Sequence, residues 1–253
     1  MAQIGHGHGS EFQLMRFLGH HRELLEQRIT KSLREEGSFR WLDFGFSDPS
    51  DSVSGDQELL GLSFLEKLDL PKEFVKKAID EYHTYSINRI DTWQNWDAVF
   101  TLNDTLYLVE AKARVGEIIS MGDHGGESKA EILRFFKEQL MNNPQYGMRV
   151  SEEWLGHYYQ FANRIATAAL LNKNGIKTKV IYIYFTNGFN IHNLSKNGQK
   201  VISVDGSNNA TKEAFLKAIE KEKKALSLDG FDSLKLLLAE PVFIKADTDK
   251  YED

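Results

Sequence analysis

The chain has 253 residues, a formal net charge of −6, 41% hydrophobic and 11% aromatic residues, and no cysteine. This length buries a sizeable core and is most simply one elaborated domain, and the missing thiols exclude disulfides and thiolate metal centres. No apolar run approaches the roughly 20 residues of a bilayer span and no charged-then-apolar signal peptide opens the chain, so a cytoplasmic protein is expected. The acidic balance argues against a surface that binds nucleic acid throughout, while leaving room for a local basic cleft.

Residues 1–9, rich in Gly and His, are expected to form a disordered tail in which His6 and His8 bind metal only adventitiously. Gly9-Ser10-Glu11-Phe12 resembles a cloning-linker product. Ser10 and Gln13 have capping-box spacing for a helix. Its apolar side is Phe12, Met15, Phe17, Leu18, Leu25, Ile29 and Leu33, and Gly37 ends it. His20 and His21 are adjacent, so on a helix they diverge by about 100° and share no metal. Residues 40–46 fit a first strand, and 48–55 a Ser- and Asp-rich loop. Residues 57–68 and 71–85 read as two amphipathic helices, the second with Pro71 at its start.

Residues 96–113 hold the densest chemistry. Two apolar, β-branched and aromatic runs flank Asn103-Asp104, a pair that tolerates the positive φ of a tight hairpin turn. With that turn, Leu102 faces Thr105, Thr101 faces Leu106 and Val99 faces Leu108. Further out, Asp97 faces Glu110 and Asn95 faces Lys112. Side chains alternate along a strand, so Asn95, Asp97, Glu110 and Lys112 share one face at the open end. Like charges directly opposed across a ladder are destabilising, and a divalent cation between the carboxylates would explain them.

Residues 114–127 contain Gly116, Gly122, Gly125 and Gly126 and read as a loop; no phosphate-cradle motif matches. Ser128 and Glu131 form a capping box for a helix to about Met141, stopped by Asn142-Asn143-Pro144. Ser151 starts the longest helical stretch, to about Leu171, with a buried stripe of Trp154, Leu155, Tyr158, Phe161, Ala162, Ile165 and Ala169. Another face carries His157, Gln160, Arg164 and Thr167. Residues 179–185 are apolar on both faces, the pattern of a central covered strand. Residues 189–194 and 199–204 suggest a further hairpin. Residues 212–226 form a charged helix whose Glu220 to Lys224 run is read as solvent-facing. Leu234 opens a last apolar segment that ends at Ile244, before an acidic tail from Asp247. There is no internal repeat, no His-Glu-x-x-His zinc signature and no Gly-x-Ser-x-Gly elbow.

Asp97, with Glu110-Ala111-Lys112 thirteen residues on along a hairpin, resembles the PD-(D/E)XK nuclease superfamily; Trp96 stands where that motif has Pro. The resemblance implies an α/β fold with a restriction-endonuclease-like core. In that core a central mixed β-sheet is flanked by helices, in the order helix, three strands, helix, strand. One domain would span 10–253, with a helical insertion at about 54–90 before the hairpin and an appended segment at about 205–253. Asp97, Glu110 and the backbone carbonyl of Ala111 would hold Mg²⁺, for which Mn²⁺ can substitute, and Lys112 would assist the attacking water. Gln160 and Arg164 resemble helix residues directed at the active site or substrate. Asn95 is a second candidate substrate contact, and Glu23 or Glu26 a first-helix acid at the metal.

The implied function is metal-dependent hydrolysis of nucleic-acid phosphodiester bonds, with DNA as the expected partner and no membrane partner. Endonucleases that cut both strands often act as homodimers. The alternative is a catalytically silent nuclease-like domain that binds nucleic acid or a protein. A third reading is a structural pair of Glu110 with Lys112 or Arg114, worth about 0–1 kcal/mol if exposed.

Overall fold

The computed structural model describes residues 9–42, 59–85, 94–119, 126–187, 190–196, 199–205 and 210–246. The helices are α1 (Ser10–His20), α2 (Arg22–Leu33), α3 (Lys72–Tyr82), α4 (Gly126–Phe136), α5 (Tyr159–Lys173) and α6 (Lys212–Ala225). The strands are β1 (Phe39–Trp41), β2 (Leu59–Leu60), β3 (Asn95–Trp96), β4 (Ala98–Leu102), β5 (Thr105–Lys112), β6 (Thr178–Thr186), β7 (Asn190–Lys196), β8 (Gln199–Asp205) and β9 (Val242–Lys245). The fold is α/β, built on a mixed five-stranded sheet in the order β1-β4-β5-β6-β9. The β1–β4 and β4–β5 pairs are antiparallel, whereas β5–β6 and β6–β9 are parallel.

The β4–β5 hairpin has the register counted from sequence, from Leu102↔Thr105 to Ala98↔Val109. Asn103 takes the expected positive φ, 52°, and its side-chain amide donates to Glu35 Oε1 at 2.8 Å. Gly37 does not end the helix. It lies beneath this turn, where an added Cβ would collide with the side chains of Asn103 and Leu102. The ladder stops at Ala98. Asp97 is a bend, and β3 leaves the main sheet to pair with β2 through Leu59↔Trp96 and Leu60↔Asn95. The expected pairings of Asp97 with Glu110 and Asn95 with Lys112 are therefore not formed.

Strand alternation divides the core into two layers. Phe100, Val109, Ala111, Ile183 and Phe185 pack with Leu14, Phe17, Leu25 and Ile29 of α1 and α2. Val99, Leu106, Leu108 and Val180 face the other way, into a layer shared with Ala162, Ile165, Ala166 and Ala169 of α5. Each such fully buried aliphatic contributes roughly 1.5–3 kcal/mol relative to exposure. Residues Phe161 to Leu171 are all buried, so α5 is a central helix covered on every side.

Several boundaries differ from the sequence reading. The first helix breaks at His21 (φ −133°), and Gly9 is the N-cap, so Ser10 makes no capping box. Residues 57–68 are not a helix where described; Leu59–Leu60 form a strand and Ser63–Lys67 a 3₁₀ turn. α4 starts at Gly126, before the expected capping box, and continues as a π-helical turn (Lys137–Met141) to the expected stop. A 3₁₀ turn (Glu152–Leu155) precedes α5, so His157 lies outside the helix. The strand at 179–185 is central, but β9 lies beyond it, so it is not the last strand of the sheet. The second hairpin pairs Lys196↔Gln199 as its innermost residues. The tail at 1–8, the loop at 48–55 and residues 43–46 of the expected first strand lie outside the described residues. Among the described residues, no helix is long and apolar enough to cross a membrane.

Candidate active site

Glu110 and Lys112 follow Leu106 and Leu108 on the face of β5 that looks toward α5, and both are buried, at 2% and 7% exposure. Gln160 and Arg164 are four residues apart on α5 and project to the same place. Lys112 Nζ donates to Glu110 Oε1 at 2.5 Å and to Gln160 Oε1 at 2.8 Å. Arg164 Nε donates to Glu110 Oε2 at 2.8 Å, and its Nη2 donates to the Asn95 carbonyl. The guanidinium also lies 4.6 Å from the centroid of the Trp96 ring. Glu110 thus carries one cation on each oxygen. This is a buried network, not the exposed pair of the third reading, and Arg114 pairs instead with Glu117 at 4.0 Å.

Asp97 reaches the same place from the bend between β3 and β4. It is half-buried, and its Oδ2 accepts the Ala111 N–H at 2.6 Å. Burial foremost, and then the Glu110 charge, push the Asp97 carboxyl up to about 7 against the pull of Lys112, the Ala111 N–H and Arg164. Burial works in the same direction on Glu110, but Lys112 and Arg164 outweigh it and hold that carboxyl below its ordinary value. For Lys112, burial disfavours the charge, and Glu110 with Asp97 more than restores it, so its pKa is raised.

The donor set fits a hard divalent cation. Asp97 and Glu110 supply carboxylate oxygens, and each Glu110 oxygen holds one hydrogen bond, which leaves a lone pair on each. Asp97 has one oxygen committed to Ala111, with the other outside that bond. Among the described residues, no group of three or more His, Cys, Asp or Glu stands together as a larger cage.

Of the residues singled out from sequence, Asp97, Glu110, Ala111, Lys112, Gln160 and Arg164 come together. Ala111 meets Asp97 through its N–H. Arg164 is 5% exposed and turned inward, so it holds Glu110 and the Asn95 carbonyl in place rather than facing a substrate. Asn95 sits in β3 opposite Leu60 and joins through its backbone. Glu23 does not join; it is exposed on α2, in the layer on the opposite face of the sheet. Its neighbour Glu26 accepts from the Trp41 indole at 2.8 Å. His157 is exposed, and Thr167 is buried beside Asn163 and Gln94.

Glu222 escaped the sequence reading. It belongs to the charged run read as solvent-facing, yet it is 3% exposed and the charges of Lys112 and Glu110 both act on it. Phe215, Ile219, Glu222 and Leu226 recur at spacings of four, three and four, so Glu222 lies on the apolar stripe of α6. That spacing was the available signal.

Fold and site define an α/β protein with a mixed five-stranded sheet and a buried carboxylate–lysine–arginine network at the end of its central hairpin. No family model, curated protein or solved structure matches the chain.

Proposed function

We propose that the protein is a metal-dependent nuclease of the PD-(D/E)XK type, with DNA as its substrate. The observation that carries this reading is the convergence of Asp97, Glu110 and Lys112 at one end of the β4–β5 hairpin. A chain order of helix, β1, β4, β5, α5 and β6, with β5 and β6 parallel, supports it by agreeing with the core that the motif implies.

Asp97 and Glu110 would hold Mg²⁺ or Mn²⁺, which supplies polarisation of the scissile phosphate and a lowered pKa for water. Arg164 fixes the Glu110 carboxylate, and Gln160 orients Lys112. An ammonium has three N–H donors. Glu110 and Gln160 take two of those on Lys112, leaving one for a phosphate oxygen or the attacking water, where charge develops in the transition state.

The test is incubation of plasmid DNA, single-stranded DNA and RNA with Mg²⁺ or Mn²⁺, with wild type and Lys112→Ala side by side. Cleavage by wild type that falls at least about a hundredfold in the variant is expected. Equal cleavage by both would remove Lys112 from the chemistry and sink the assignment.

A second reading has an observation of its own. Both oxygens of Glu110 are engaged by buried cations, which suits a catalytically silent domain that binds nucleic acid or protein. Under that reading the chain retains a nucleic-acid ligand on a gel shift, cleaves none of the three substrates, and binds Mg²⁺ no better than Asp97→Asn.

A further inference from the structure

A second polar concavity lies on the same face of the sheet, one strand further on. Tyr182 and Tyr184 of β6 stand in register with Glu110 and Lys112 and line a pocket of about 340 Å³ between β6 and α6. Phe161 and Phe231 contribute to its walls, and Glu222 reaches it from α6. Among the described residues, the side chains of Glu222 and of both tyrosines make no hydrogen bond or ion pair. Glu222 is only 3% exposed and lines the pocket, so a carboxylate with no protein partner there has its hydrogen-bond capacity to be met from the pocket. Three polar groups without protein partners therefore share one pocket.

The character of the lining selects the ligand. Asp229, Asp232 and Glu240 join Glu222, against Lys223 and a Lys235 that is tied to Asp232 at 2.8 Å. That excess of carboxylates repels phosphate and attracts a cation. The ring of Tyr182 is stacked with those of Tyr184 and Phe161 at centroid distances of 5.9 Å. Aromatic walls favour an organic cation over a hard metal ion, which needs a full shell of oxygen ligands.

We propose that this pocket binds a guanidinium group, with Glu222 accepting its N–H donors and the tyrosines supplying ring and hydroxyl contacts. The planar fork of five donors can serve both carboxylate oxygens and both hydroxyls at once, four acceptors against the three donors of an ammonium. The source is either a free small molecule or the arginine side chain of a peptide. Burial foremost pushes the Glu222 carboxyl up to about 8; Lys112 and Lys223 oppose that rise and Glu110 adds to it. Tyr182 and Tyr184 are themselves held protonated, mainly by burial. Cation binding therefore displaces a proton from Glu222, and affinity rises with pH up to about 8. This site is independent of the nuclease reading.

The experiment is isothermal titration of the full chain with agmatine and with acetyl-Gly-Arg-Gly-amide at pH 6, 7 and 9. Tetramethylammonium, which has no N–H donor, and guanosine serve as comparison ligands. Wild type should bind a guanidinium ligand and gain about tenfold in affinity between pH 6 and 7. Glu222→Gln should lose at least tenfold and the pH dependence; Tyr184→Phe, which keeps the ring, should lose a few-fold. Peptide binding marks a protein side chain as the source, and agmatine alone marks a small molecule. Asp97→Asn should bind as wild type does, whatever it does to cleavage. Absence of guanidinium binding, unchanged affinity in Glu222→Gln, or binding of guanosine in preference to both ligands overturns the proposal.

Discussion

Glu110 and Glu222 are two glutamates buried on the same face of one sheet, at 2% and 3% exposure, and they sit in opposite electrostatic states. Glu110 has Lys112 on one oxygen and Arg164 on the other and is held ionised. Glu222 has no such partner, and burial holds it largely protonated near neutral pH. Depth of burial is nearly equal, so it does not decide the charge. The cations delivered by neighbouring elements do. The first site is closed and balanced within the chain, whereas the second leaves its balance to the solvent or a ligand.

The strongest way to break that contrast is to remove the charge from Glu110. Glu110→Gln leaves Lys112 and Arg164 buried against a neutral group, and the expected loss is about 3–5 kcal/mol in urea unfolding at pH 7. A loss under 1 kcal/mol would mean that the network is far better solvated than its burial indicates.

The mirror experiment on Glu222 should have the opposite sign. A carboxyl raised from 4.5 to about 8 on folding contributes stability that is fully present below pH 4.5 and lost as pH rises through 8. Glu222→Gln should therefore match wild type near pH 5 and exceed it at pH 9 by on the order of 2–4 kcal/mol. Thermal denaturation across that range reads the difference directly. A constant offset at every pH would point to packing instead of charge.

Asp97 lies between the two cases, being close to cations yet raised from 3.8 to about 7 by burial and by Glu110. By the same sign argument its contribution is full below pH 3.8 and lost as pH rises through 7. Without divalent metal, Asp97→Asn should be the more stable protein at pH 8, by about 1–2 kcal/mol, and should lose that advantage at pH 4. Added Mg²⁺ should narrow the gap at pH 8 by stabilising wild type alone; an equal response in both proteins would detach Asp97 from metal binding. The smallest effect belongs to Glu23, which is exposed and remote from the network. Glu23→Gln should stay within about 0.5 kcal/mol of wild type and leave metal binding unchanged.

The site was legible where its signals are local. Period-two alternation and a turn pair at Asn103-Asp104 set the hairpin register correctly as far as Ala98↔Val109. Helical spacing placed Gln160 and Arg164 together before any contact was visible. The count failed one step later, at Asp97, because Asn95 and Trp96 pair with Leu59 and Leu60, a partner more than thirty residues away. Glu222 was misread because a run of five charged residues masks an apolar stripe with one member in that run.

By itself the sequence determined the period of each main strand, the turn that sets the central hairpin, and the set of ionisable groups available at its end. Those follow from backbone sterics and side-chain alternation, which act over a few residues. Only the tertiary structure decided which charges are paired. Arg164 reaches Glu110 because α5 packs on the sheet, Glu23 is excluded because α2 packs on the other face, and Glu222 is buried without an ion-pair partner because α6 closes over Tyr182 and Tyr184. Charge state in a buried site depends on what the rest of the chain brings within a few ångströms, and residue order alone does not carry that distance.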